Sequence, residues 1–219
     1  MNRIAGETTV PGTSWQAGEG GFVPTPDALA EPTDLLDGVD DGTTGAMPCW
    51  QSVPQGAAPP DPDWLRVASG EYNVREGNGT PNPRILEYFD ATWQKHTSDH
   101  GRDNAWCAAF VTWSLTQAGV PNDRAVGARA YEQFGDATEP FRGAIVVLRH
   151  GKEKHVAFLA GKDGYGNYVY LGGNQVNHVA HYSYPDWEIV AIRKPAGYVI
   201  PEDLKHLPLV FAPAGGGTR

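Results

Sequence analysis

From Asp63 onward the apolar positions of this chain recur first at helical and then at strand spacing. Trp64, Leu65, Val67 and Ala68 follow Asp61 and Asp63, which predicts a first helix ending near Gly70. The run Asn82-Pro83-Arg84-Ile85-Leu86-Glu87-Tyr88-Phe89 predicts a second, with Asn82 as cap and Pro83 in the first helical position. Its buried face is expected to be Ile85, Leu86, Phe89 and Trp93. A third helix is expected between Asp103 and Gly119, with Asp103 or Asn104 accepting a free backbone N–H at its start. Trp106, Phe110, Trp113 and Ala118 roughly keep helical spacing, so one face buries while Thr112, Thr116 and Gln117 stay wet. Gly119 is placed to end it, with Pro121 just beyond. A short helix is expected around Ala125–Phe134, closed by Gly135.

Beyond Gly143 the period shortens. Ala144–Leu148 is a continuous apolar run rich in β-branched residues, as a central strand requires. His155–Ala160 predicts the second strand and Tyr168–Leu171 the third, with Lys162–Asn167 as turn material between them. Trp187–Arg193 alternates well enough for a fourth, stopped by Pro195. His178 and His181 fall in a stretch that reads as loop. Helices first and an antiparallel meander afterwards make an α+β chain with segregated halves.

Residues 1–62 differ from the rest. Gly, Pro, Asp and Thr dominate, lysine is absent and Arg3 is the only basic residue. Pro54–Pro62 reads as an extended linker. The cluster Asp34, Asp37, Asp40, Asp41 lacks EF-hand spacing and its closing Glu, so a solvated acidic arm is the expectation rather than a calcium site. The expected organisation is an arm and linker over 1–62, a folded domain over 63–196, and a tail over 197–219 that wraps or frays.

Charge and cysteine count narrow the classes. A net charge of −9 with pI near 5.2 argues against nucleic acid or an anionic membrane as the main partner. No stretch reaches the length of a membrane span. Met1–Val10 has no apolar run of Sec-signal length, so a soluble product made in the cytoplasm is expected, with any export by another route. Cys49 and Cys107 are the two cysteines, and no disulfide framework is evident.

Cys107 carries the candidate chemistry. In the first turn of a helix, exposed N–H groups and the helix dipole favour thiolate over thiol. The competing reading is a packing cysteine beside Trp and Ala. A nucleophilic sulfur needs a base, and the base needs an orienting polar group. Of seven histidines, His155 opens a predicted strand, a rigid place for a base whose ring projects from the end of the sheet. Gly172-Gly173-Asn174-Gln175 ends the next strand. Its glycines permit close approach and Asn174 can pair with an imidazole. Glycine pairs also make plain bulges.

Five blocks then stand in order: Asn82–Phe89, Trp106-Cys107-Ala108-Ala109-Phe110-Val111, Gly143–Val147, His155-Val156-Ala157-Phe158, and Leu171–Gln175. Together they make Trp64–Pro195 resemble papain-like peptidoglycan hydrolases of the NlpC and CHAP group, closest to a subfamily of phage lysins and antibacterial effectors. The resemblance implies a papain-like fold, N-terminal helices packed on a C-terminal antiparallel sheet. It implies Cys107 as nucleophile, His155 as base and acid, Asn174 as orienter, and no cofactor or metal. Ala144 departs from the Asp common in relatives and touches no catalytic role. Trp106, Asp103 and Asn104 flank the nucleophile and are candidate peptide contacts, Trp106 equally a packing residue. Gln175 is the alternative orienter, since strand neighbours face opposite ways.

The expected activity is hydrolysis of amide bonds in peptidoglycan stem peptides, either at the muramic acid–alanine junction or within the stem. The expected setting is the cell wall of a target cell, reached by a contractile, type VI-like secretion system, with a phage lysin as the alternative. A monomer is expected, with the stem peptide and an immunity protein as partners. A Cys–His–Asn transferase or deamidase on a protein target, and a non-catalytic binding module, are the readings from other classes.

Overall fold

The computed structural model describes residues 60–100 and 104–213. The chain divides at Gln51, and everything described belongs to the second unit, Ser52–Arg219. The acidic cluster Asp34–Asp41, Cys49, Asp103 and the Gly215–Gly217 run lie outside the described residues.

Three α-helices come first: α1 (Asp63–Gly70), α2 (Pro83–Asp90) and α3 (Cys107–Gln117). Helix α2 starts as its sequence dictates. Asn82 Oδ1 accepts the Arg84 N–H at 2.9 Å and Pro83 occupies a position that needs no donor. Its buried face is Ile85, Tyr88 and Phe89; Leu86 is only half-buried and Trp93 is exposed. Tyr88 turns inward because its ring packs on Trp106, Phe110 and Trp113 while its hydroxyl donates to Glu71 at 2.7 Å. Arg84 joins the same carboxylate and lies 4.5 Å over the Trp113 ring.

Helix α3 departs from the expected amphipathic pattern. Every residue from Cys107 to Leu115 is buried, because α1 and α2 cover one side and the sheet the other. Phe110 faces Phe158 of the sheet on one flank and Tyr88 of α2 on the other. Thr112, expected wet, is fully buried, and its hydroxyl bonds the Ala125 carbonyl and Tyr131, each at 2.6 Å. Thr116 and Gln117 are exposed as expected. The end is a Schellman turn: Gly119, at φ +69°, donates to the Thr116 carbonyl and Val120 to that of Leu115. The segment after it is a 3₁₀ turn, Ala128–Gln133, shorter than the helix expected there.

Six strands form one antiparallel sheet: β1 (Asp136–Ala137), β2 (Ile145–His150), β3 (Glu153–Lys162), β4 (Tyr168–Gln175), β5 (His178–Tyr184) and β6 (Ile189–Lys194), in the order β1-β6-β2-β3-β4-β5. An α+β chain with an antiparallel sheet is therefore observed. Two details correct the sequence reading. His178 and His181 lie on β5, a strand and not a loop, and β6 leaves the meander to pair with the far edge of β2. The β4–β5 hairpin hid because its two-residue turn is Val176-Asn177, both at positive φ (+51° and +65°). Such turns are normally written Asn-Gly, and valine conceals the signal. The predicted fourth strand begins only at Ile189, after a 3₁₀ turn at Asp186–Glu188.

Residues 197–213 wrap. Tyr198 packs edge-on to Trp64 at 4.8 Å, Leu204 is buried, Leu209 bridges Lys162, and the Pro213 carbonyl accepts from the Ser183 N–H. Trp64 Nε1 donates to the Gly143 carbonyl at 2.7 Å, tying α1 to the start of β2. Among the described residues, no helix is long and apolar enough to cross a membrane.

Candidate active site

Cys107 is the first residue of α3, and no side chain caps that helix. Asn104, an expected cap and candidate peptide contact, instead bonds His96 Nδ1 at 2.5 Å and donates to the His100 carbonyl at 2.6 Å, so its amide holds the preceding loop. The helix N–H groups turn to the cysteine itself. The backbone N–H groups of Val156 on β3, foremost, and of Ala108 and Cys107 lie close enough to the sulfur to favour its anion. Since Val156 directly follows His155, the thiol lies against the strand that carries the candidate base. Pairing of β3 with β4 runs only as far as Phe158 opposite Leu171, which leaves the Val156 edge open to the sulfur.

Burial pushes the Cys107 thiol up, and the three N–H groups, Val156 foremost, pull the other way without overcoming it. Burial therefore works against the preference for thiolate expected from the helix start. A helix N-terminus favours the anion, but a side chain only 5% exposed loses more hydration than the dipole returns. Cys107 is a free cysteine.

His155 is the third residue of β3, opposite Leu148 on β2. It is 1% exposed, so its ring is enclosed and does not project from the sheet end. The ring lies 6.1 Å from that of Tyr184. Two glycines of β4 make room for the site. A Cβ on Gly172 would stand 3.1 Å from His155 Nε2, and one on Gly173 would stand 2.6 Å from the Trp106 ring. The pair flagged in the sequence is therefore a steric requirement on both faces of the strand.

Asn174 sits at φ +56° and breaks the alternation of β4, so the rule that neighbours face opposite ways does not hold there. Its Oδ1 is buried with no hydrogen bond among the described residues. Gln175 is fully buried and its orientation is determined by its partners. Nε2 donates to the carbonyls of Tyr170 (3.2 Å), Gly172 (3.4 Å) and Ala180, which identifies the amide nitrogen and leaves Oε1 as a buried acceptor. The point 3.1 Å from His155 Nε2 above Gly172 is also 3.2 Å from Gln175 Cδ. Gln175 and the imidazole therefore converge on the same space.

Trp106 is fully buried, its Nε1 donating to Glu76 at 3.1 Å. It is a wall of the site, and contact with a bound peptide would require it to leave the core. The loop before it is pinned by a residue the sequence reading passed over. Asp99, wholly buried, accepts from the backbone N–H of Gly77 (2.8 Å) and Asn82 (2.7 Å) through Oδ2, and pairs with His100 through Oδ1. An acid in a Ser-Asp-His run gave no signal, because its partners are backbone groups far along the chain. His178 and His181 stand apart: one bonds the Val176 carbonyl and the other lies against Tyr72.

A cavity of about 380 Å³ opens onto Cys107, lined also by His96, Ala105, Ala128, Arg129 and Lys152. His96, set aside as a loop histidine, stacks on Phe89 at 4.0 Å and forms part of this wall. A buried sulfur held by backbone donors, beside a histidine strand and open to a cavity, can carry out nucleophilic chemistry on a carbonyl. No protein-family model matches the chain, and no curated protein matches it either.

Proposed function

We propose that the protein is a papain-like cysteine hydrolase that cuts amide bonds of peptidoglycan stem peptides. The observation that carries the chemistry is the Cys107 sulfur, seated on the Val156 N–H next to His155 at the mouth of the cavity. The substrate class rests on the ordered sequence blocks from Asn82 to Gln175 and their resemblance to cell-wall hydrolases.

In this reading the neutral thiol gives its proton to His155 as sulfur attacks the amide carbonyl. The backbone N–H of Cys107 donates to the oxygen that becomes negative. The C–N bond then breaks, and the imidazolium protonates the departing amine. Water attacks the thioester while His155 takes its proton, the C–S bond breaks, and the thiol is restored. Gln175, with Nε2 held by three carbonyls and Oε1 left as a buried acceptor near the space the imidazole borders, is the orienting group in this reading in place of Asn174.

Muropeptide profiles of purified sacculi test this. Wild type should release new fragments, whose termini name the bond cut, and Cys107→Ala should release none. Unchanged profiles with both would overturn the reading and turn attention to acyl transfer or deamidation on a protein.

A further inference from the structure

The cavity gathers positive charge. Most of the net charge of −9 belongs to residues 1–62, where nine acids stand against Arg3 alone. In the rest of the chain acids and bases nearly balance, yet Arg129, Lys152 and Lys154 line the cavity against one acid, Glu153. Lys154 is partly neutralised by Glu132 at 3.6 Å. Arg129 and Lys152 are exposed and enter no salt bridge among the described residues, so both are available to an anion that enters the space. Different elements deliver them. Arg129 is on the 3₁₀ turn Ala128–Gln133, and Lys152 is at the tip of the two-residue turn joining β2 to β3, where Gly151 adopts φ +58°. Cys107 borders the same space. A cleft lined by one sign of charge raises the local concentration of ligands of the opposite sign.

We propose that this cavity selects substrates bearing a carboxylate close to the scissile amide, held between Arg129 and Lys152. The word scissile rests on the reading of Cys107 as nucleophile; the anion site itself does not. With the carboxylate held between these cations, the neighbouring acyl carbon is presented to the sulfur in a restricted set of orientations, and neutral amide analogues lose that registration.

Two measurements separate the site from the chemistry. In the first, full-length Cys107→Ala protein is titrated with N-acetylglutamate and with N-acetylglutamine, which differ by one carboxylate, and backbone NMR shifts are followed. The acid should bind about tenfold more tightly. The preference should vanish in the Arg129→Gln/Lys152→Gln variant and persist in Lys205→Gln, whose charge pairs elsewhere with Glu202. Equal affinities, no binding of the acid, or a preference untouched by the double substitution would overturn the proposal. In the second, wild-type Cys107 is alkylated with anionic iodoacetate and neutral iodoacetamide. The ratio of rates should fall in the double variant and with added salt. Failure of both reagents to label Cys107 would count against the nucleophile, while the titration would still decide the anion site.

Discussion

Gly172 and His155 are fitted to each other: the position a Cβ would take on the glycine lies 3.1 Å from the imidazole Nε2. The same point lies 2.9 Å from Ala157 Cβ, and the His155 ring is enclosed to 1% exposure, so a side chain at residue 172 would press on both. Neither Gly172 nor Gly173 uses a positive φ, so an alanine at either is refused by contact alone.

Gly172→Ala should displace the His155 ring and lower turnover by about a hundredfold while costing about 1 kcal/mol of stability. Gly173→Ala meets the Trp106 ring and Phe110 Cβ, each at 2.6 Å, and should cost about 2–3 kcal/mol. Urea unfolding of both variants beside assays on sacculi checks the contrast. Equal stability losses with equal activities would contradict it.

Gln175 and Asn174 make separable predictions. Gln175→Ala leaves three carbonyls without their donor and should cost about 2 kcal/mol as well as about a hundredfold in turnover. Asn174→Gly removes that amide while keeping the left-handed backbone, and should cost less than about tenfold. A reversed order of rates would return the orienting role to Asn174.

Asp99 should matter for the loop before the nucleophile. Asp99→Ala strips the acceptor from the Gly77 and Asn82 N–H groups and removes the partner of His100. A loss of about 3 kcal/mol is expected, with faster iodoacetamide labelling of Cys107 as the loop opens. Unaltered unfolding midpoints and labelling rates would show that the loop is held by other contacts.

Alkaline pH should unfold the protein sooner than neutral pH. Burial pushes the phenols of Tyr88, Tyr131, Tyr170 and Tyr184 above their ordinary value of 10.0, and the Cys107 thiol above 9.0. The folded chain therefore keeps protons that the unfolded chain gives up. Stability is fully present below the unfolded values and declines as pH rises through them. Melting temperature should be flat near pH 8 and fall steeply above about pH 10, with the share of tyrosinate absorbance that belongs to these four buried phenols appearing only on unfolding. A tyrosinate signal corresponding to all nine tyrosines in the still-folded protein would contradict this.

Local sterics are written into short stretches, and those were legible. Asn82-Pro83 starts α2 and Gly119 ends α3, because capping and a left-handed stop depend on a few adjacent residues. The strands at Ile145–His150 and Glu153–Lys162 follow from apolar runs that cannot remain in water. The candidates Cys107, His155 and Asn174, with Gln175 as the alternative to Asn174, stood out for the same reason, as each lies near the start or end of such an element.

Long-range packing decided the rest. Helix α3 reads as half-wet, yet helices cover one side and the sheet the other, which buries Thr112 and pushes the Cys107 thiol up. Strand β5 and the crossing of β6 to the far edge depend on which backbones are left to pair. The approach of Gln175 and His155 to the space above Gly172, and of Arg129 and Lys152 to one cavity, joins residues that no local pattern relates. Side-chain spacing along the chain encodes which groups exist and which way they start. Burial and charge at a site come from segments distant in sequence, and these are set only when the layers close.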